Sequence, residues 1–370
     1  MRIEFMLYFY GAVCISMLAF NVAYAVLLRS GESRLTRRTR RLTAAVEEQL
    51  GRLDQGLPVD SRHLSALRRK LRRVNNLTAF DRTLRPLVLQ RGDDPSLQAY
   101  LIQLQPCILY LALVYRKRET TQTAYFSYFL SRYMLQQHMP VQSLQDVLLS
   151  YMARENLYCR VNALQALCSF GNAQHVMEAL HLQDRGAVFL HEKILTETLL
   201  TYTGDHGVLI SMIWDTLDTF SPHTQLALLN YIRFRSGSYP REMFALMEDP
   251  RQDKEVRLSA IRYFGRYHYA PALEPLLAFA ADQDPSRWEY ATVSASSLAR
   301  YPGEQTVEAL KQALHSGNWY IRCAAAASLE AQQVDYADLM DIVNGDDRYA
   351  REIMTYQRES HRIQKAGVAP

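Results

Sequence analysis

The chain has 370 residues, 48% of them apolar, and a formal net charge of +4. Only 15 Gly and 13 Pro and few β-branched runs point to an all-α fold with a continuous core. Five cysteines (Cys14, Cys107, Cys159, Cys168, Cys323), odd in number and without a C-x-x-C pair, argue against a disulfide scaffold and for a reducing compartment. The charge is uneven: residues 29–73 carry net +8, residues 1–28 carry zero, and residues 74–370 carry −4.

Residues 5–28 hold no charge over 24 positions. As a helix they would span about 36 Å at ~1.5 Å per residue, against ~30 Å of bilayer hydrocarbon. Arg29, Arg34, Arg37, Arg38, Arg40 and Arg41 come directly after. Basic flanks stay in the cytoplasm, so residues 1–29 read as a transmembrane anchor, N-terminus outside, with everything after it inside. The competing reading is a secreted solenoid, cleaved after Ala23-Tyr24-Ala25; the long apolar run and the arginines behind it favour a retained span. The arginines at 34, 37, 38, 40 and 41 are candidates for contact with anionic lipid headgroups near residues 29–41.

Residues 30–94 read as basic juxtamembrane helices and a cap for the helical array after them. Glu32 to Leu53 is a helix with a stripe of Leu35, Leu42, Val46, Leu50 and Leu53. After Asp60 comes a basic amphipathic helix with Leu64, Leu67, Leu71 and Val74 on one face. Phe80 to Pro86 is expected to be a short helix ending at the proline. From Ser96 to about Arg118 a single apolar helix is expected, kinked at Pro106 and buried in the protein rather than spanning a membrane a second time.

Beyond residue 120 one helix type recurs. Its clearest copy runs from Asp253 to Gly265, with Arg257 four residues after the cap, Ala260 three later and Phe264 four after that. The Arg257 position returns at Arg160, Lys193, Gln225, Ala291, Arg322 and Arg351, at intervals of 29 to 34 residues. Three residues on lie Ala163, Thr196, Leu228, Ser294, Ala325 and Met354; seven on lie Leu167, Leu200, Ile232, Leu298, Leu329 and the exception Arg358. Such spacing makes a buried stripe. Asn156, Ser221, Asp253, Asn318 and Asp347 stand four before the anchor as helix caps. A weaker copy fits Thr123, Ser127, Leu130 and Met134. A second helix after each first one would complete a hairpin, and hairpins that cannot bury their apolar faces alone must stack.

The cap-x-x-(Val/Ile/Tyr)-Arg-x-x-Ala-x-x-x-Leu pattern, at Asn156 to Gly171, Asp253 to Gly265 and Asn318 to Leu329, resembles HEAT repeats of the short, phycobilisome-lyase type. The resemblance covers roughly residues 120–365, with the unit at Arg287 to Leu298 degenerate. It implies an α-solenoid over residues 95–363 and a tail at 364–370. It also implies a curved scaffold whose Arg-bearing helices line the inner face.

Catalysis is not expected. His191-Glu192 is a lone His-Glu pair, whereas deoxyhypusine hydroxylase, also HEAT-like, uses several to hold iron. No phosphate-cradling Gly-rich loop and no Gly-x-Ser-x-Gly is present. An acidic repeat region does not suit nucleic acid, and no cofactor is expected. A lyase or other HEAT-like enzyme is the alternative class. Arg160, Arg257, Arg322 and Arg351 are expected to bridge to a neighbouring carboxylate such as Asp184, Glu248, Asp284 or Asp346. The candidate partner-binding strip is aromatic: Arg287, Trp288, Tyr290, Trp319, Tyr320, Arg348 and Tyr349, residue types that dominate binding hot spots. The composite expectation is a non-catalytic, membrane-anchored adaptor that binds a membrane-associated protein. Bacterial membrane proteins of this build resemble accessory components beside membrane glycosyltransferases or signalling systems.

Overall fold

The computed structural model describes residues 2–92, 94–133, 142–186, 190–335 and 337–365. Every regular element among them is helical. Met134 of the weak repeat copy and residues 366–370 of the expected tail lie outside the described residues. The chain forms two compact units, residues 1–189 with 201–204, and residues 190–200 with 205–370.

The first unit holds α1 (Arg2–Asp54), α2 (Ser61–Lys70), α3 (Val74–Arg91), α4 (Pro95–Gln103), α5 (Gln105–Tyr115), α6 (Thr120–Tyr133), α7 (Gln142–Met152), α8 (Leu157–Phe170) and α9 (Ala173–Asp184). The apolar segment and the basic helix, expected as neighbours, form one continuous α1 of 53 residues, about 80 Å long at ~1.5 Å per residue. The sequence from Glu32 onward contains no proline until Pro58 and so has nothing to break it. Leu42, Val46, Gln49 and Leu50 are buried where α1 packs on α3 and α4. The described side chains from Phe5 to Val26 are all exposed. Among the described residues α1 is the one single helix long and apolar enough to cross a membrane.

Three local expectations are corrected. Pro86 does not end a helix: it lies inside α3 on the exposed side, where the carbonyl it leaves unpaired can reach water. Val74 opens α3 instead of closing α2, because α2 stops at Lys70. The kink expected at Pro106 is present as a 47° bend, but it parts the expected Ser96–Arg118 helix into two, α4 and α5. Pro106 sits in the first turn of α5, where its missing N–H costs no helical bond. Leu97, Tyr100, Leu104, Ile108, Leu111 and Tyr115 of this pair are fully enclosed in the core. Burying each such Leu or Ile is worth about 1.5–3 kcal/mol. Helix α2 lies on α5, with the Arg68 guanidinium 3.8 Å above the Tyr110 ring.

The second unit holds α10 (Glu192–Leu200), α11 (His206–Thr216), α12 (Pro222–Arg235), α13 (Pro240–Glu248), α14 (Lys254–Phe264), α15 (Leu273–Ala280), α16 (Trp288–Ser297), α17 (Glu304–Leu314), α18 (Trp319–Ala331), α19 (Met340–Val343) and α20 (Arg348–Lys365). The repeat helices α10, α12, α14, α16, α18 and α20 pack in series. The stripe is buried as spaced: Leu228, Ala260, Ser294, Ala325 and Met354, then Ile232, Phe264, Leu298 and Leu329. Leu200 is only half-buried. Helix α20 continues through Gln364 to Lys365, past the expected start of the tail.

The hairpin is offset from the expected one. α13 packs on α14, α15 on α16, α17 on α18 and α19 on α20, so each intervening helix pairs with the next repeat helix in the chain. The cap residues explain this. Asp253 accepts from Glu255 N, Asn318 from Tyr320 N, and Asp347 from Tyr349 N and Ala350 N, holding a tight turn before α14, α18 and α20. In the first unit Asn156 accepts from Cys159 N in the same way. Ser221 makes no such bond to the backbone.

Candidate functional site: two helix edges and a basic surface on α1

The repeat anchors come first, because they set the turns from which the candidate residues project. Arg257 Nε donates to Met247 O (3.1 Å), Arg322 to Ser316 O (2.6 Å) and Arg351 to Gly345 O (3.0 Å). Each carbonyl lies at or just past the end of the preceding helix. Gln225 does the same, donating to Leu217 O and Phe220 O at 3.0 Å each. In the first unit Arg160 donates to Gln183 O at 3.0 Å, at the end of the next helix, α9. The expected carboxylate partners are therefore corrected for Arg257, Arg322 and Arg351. Their targets are the carbonyls that a helix C-terminus leaves without a helical donor, where the helix dipole also favours a cation.

The turns held by Arg322 and Arg351 place Trp319, Tyr320 and Tyr349 at the N-terminal ends of α18 and α20, while Trp288 opens α16, whose anchor position is Ala291. Trp288, the first residue of α16, is half-buried and stacks on Tyr320 of the next repeat, ring centroids 5.2 Å apart. Trp319 meets Tyr320 edge to face, also at 5.2 Å. Trp319 is 54% exposed, Tyr320 55% and Tyr349 64%. The Arg322 guanidinium lies 5.2 Å from the Tyr349 ring.

The remaining candidates divide. Tyr290 is only 6% exposed and stacks on Phe279 at 5.5 Å, with Arg257 5.1 Å and Arg287 5.4 Å from its ring. It supports the strip from beneath and cannot present its face to a partner. Arg287 is held by Asp282 at 3.0 Å. Arg348 is exposed and pairs within its own helix with Glu352 at 2.7 Å. The exposed part of the strip is thus Trp319, Tyr320 and Tyr349, with the half-buried Trp288 stacked against Tyr320 and the two arginines at its margins.

On α1, just after the candidate membrane span, Arg34, Arg37, Arg40 and Arg41 are exposed and Arg38 is half-buried. Arg38 and Arg41 join His63, Lys70 and Asn76 around a groove of about 240 Å³ between α1 and α2. The Tyr100 hydroxyl lies 2.9 Å from His63 Nε2. Burial holds the His63 pKa below its ordinary value. Arg40 lines a second, shallower surface with Arg82 and Arg85; Arg82 is bound to Glu32 at 2.6 Å.

Sequence reasoning overlooked one cluster. At the opposite, C-terminal ends of α12, α14 and α16, Arg233, Arg262, Arg266 and Arg300 converge on one pocket. Spacings of 33 and 34 residues from Arg233 to Arg266 to Arg300 were the available signal.

A family model described as HEAT repeats matches residues 240–330. Over those residues the chain is similar to HEAT repeats. The HEAT segment runs from the start of α13 to the end of α18 and so contains Trp288, Trp319 and Tyr320. No curated protein matches the chain. HEAT repeats generally mediate protein–protein interactions.

Proposed function

We propose that this chain is a non-catalytic, membrane-anchored adaptor whose HEAT repeats hold a membrane-associated protein partner. In this reading α1 crosses the membrane once, its N-terminus lies outside, and both helical units lie in the cytoplasm. Its arginines at 34, 37, 38, 40 and 41 rest on anionic headgroups. The 29–34-residue period fits the short HEAT type of phycobilisome lyases. The partner is a subunit of a membrane enzyme, such as a glycosyltransferase, or of a signalling system.

The observation that carries the reading is the exposure of Trp319, Tyr320 and Tyr349 on successive repeats. Large aromatic surface left in water on adjacent helix ends costs solvation free energy that a partner would recover. Hydrogen-bonded caps fix the helix starts, so little ordering entropy is spent on binding. The test is purification of the full-length protein from detergent-solubilised membranes, beside a Trp319→Ser/Tyr320→Ser variant. A membrane protein that co-purifies in defined stoichiometry with the wild type and is lost from the variant supports the adaptor. Retention of that partner by the variant, or recovery of unrelated soluble proteins alone, contradicts it.

A further inference from the structure

The C-terminal ends of α12, α14 and α16 border an open pocket of about 760 Å³ whose wall includes Arg233, Arg262, Arg266, Arg300, Phe234 and Tyr267, and no carboxylate among the described residues. It lies at the other end of α16 from Trp288, and its argument does not depend on the adaptor reading. Four guanidiniums gather here although residues 74–370 carry a net charge of −4.

Three of them have no partner that explains their presence. The side chains of Arg233, Arg262 and Arg266 make no hydrogen bond and no ion pair among the described residues. Arg233 Nε is sealed from solvent with its hydrogen unused. Burial, and then the like charges of Arg262 and Arg266, hold the Arg233 pKa below the ordinary arginine value. Burial does the same to Arg262, opposed only by Glu255 two turns earlier on α14. Guanidinium stays protonated through such shifts, so the pocket keeps its charges and bears the cost of crowding them.

Helix capping accounts for Arg300 alone, which donates to Arg266 O at 3.4 Å. Aromatic contacts account for orientation. Arg233 lies 4.8 Å and Arg266 5.6 Å from the Phe234 ring, and Arg266 lies 5.8 Å from that of Tyr267. These contacts hold the guanidiniums beside the rings without using their N–H hydrogens as classical donors. The row also stops: nine residues after its anchor, where α14 has Arg266 and α16 leads to Arg300, the next repeat has Ala331. A device for stacking repeats would continue into that unit.

We infer that this pocket binds a phosphate-bearing ligand, with its phosphate or pyrophosphate group seated among Arg233, Arg262 and Arg266. Planar forks with several N–H donors match phosphate oxygens in bidentate pairs. A single carboxylate has one charge and two oxygens, too few for three converging cations. An acidic peptide would spread its charges along a chain, whereas here they meet in one concavity. The volume falls within the ~300–1,000 Å³ typical of small-molecule sites. Phe234 and Tyr267 offer the apolar wall for the rest of the ligand.

Calorimetric titration of the full-length protein in detergent with inorganic pyrophosphate tests this. Saturable binding is expected, weakened about tenfold or more in Arg233→Gln and in Arg266→Gln. Arg251→Gln, whose guanidinium pairs with Asp249 outside the pocket, should bind as the wild type does. Pyrophosphate should raise the melting temperature of the wild type and not of the two pocket variants. Dioctanoyl phosphatidic acid separates the sources. Tighter binding than pyrophosphate through the same arginines places the phosphate on a lipid headgroup, and weaker binding places it on a soluble ligand. Absence of saturable binding by either probe overturns the proposal. So does binding that survives both arginine substitutions, or a Glu-rich peptide that binds more tightly through the same arginines.

Discussion

The indole of Trp288 stacks on the phenol of Tyr320 across one repeat boundary, centroids 5.2 Å apart and planes 28° from parallel. One ring is half-buried and the other largely in water, so the pair joins repeat cohesion to the exposed edge. Such a contact is worth ~0.5–1.5 kcal/mol beyond area burial. Trp288→Ala should therefore lower the stability of the HEAT segment by about 2–4 kcal/mol. Tyr320→Ala should cost no more than about 1.5 kcal/mol. Urea denaturation followed by circular dichroism checks both, and equal losses would show that the edge is not built as described.

The repeat arginine is a turn clamp. Arg257→Met removes a charge-assisted donor from Met247 O and should cost about 1.5–3 kcal/mol. Arg257→Gln should recover much of this, because Gln225 in the equivalent place already donates to Leu217 O and Phe220 O. A Gln variant as unstable as the Met variant would mean that the stacking of Arg257 on Tyr290, and not the carbonyl bond, is what matters.

Much of the fold is readable from the chain because a repeat writes the same physics several times. The register of cap, arginine, Ala260-type and Phe264-type positions predicts buried faces that the structure places in the core. What the sequence conceals is pairing across space. It could not show that α13 belongs with α14, or that Arg257, Arg322 and Arg351 seek carbonyls, since a carbonyl has no letter. Tyr290 resembles its neighbour Trp288 in the strip, yet it is buried, with Phe279, Arg257 and Arg287 packed about its ring. The pocket arginines are visible one by one, but their convergence depends on how three helix ends meet.

Acid should weaken the protein through its neutral histidines. Burial lowers the pKa of His63, and burial and then Arg235 lower that of His206, both from 6.5. The folded protein keeps these rings neutral while the unfolded chain protonates near 6.5. Between the depressed folded pKa and that value the unfolded state holds more protons. Stability contributed by these groups is complete above 6.5 and falls as pH drops through the folded values. Melting temperature against pH should show this decline, and His63→Gln should flatten part of it. A profile unchanged by His63→Gln would remove His63 from the account.

Gly171 closes α8 at φ +70°, with its N–H bonded to Cys168 O. A Cβ there would lie 3.0 Å from Gly204 N. Gly171→Ala should cost about 1–2 kcal/mol from left-handed strain and this close approach together. Thermal denaturation measures it, and a neutral result would mean that the loop carrying Gly204 yields.

The central claim, an anchored scaffold that docks a membrane partner on the α16–α18–α20 edge, is tested most directly by photo-crosslinking in intact membranes. A benzophenone amino acid at Tyr320 or Tyr349, compared with one at the exposed Tyr158 of the first unit, reports what lies within reach. The account predicts one discrete adduct with a membrane protein from both edge positions and none from Tyr158. Adducts only from Tyr158, or none from either edge position, would contradict it.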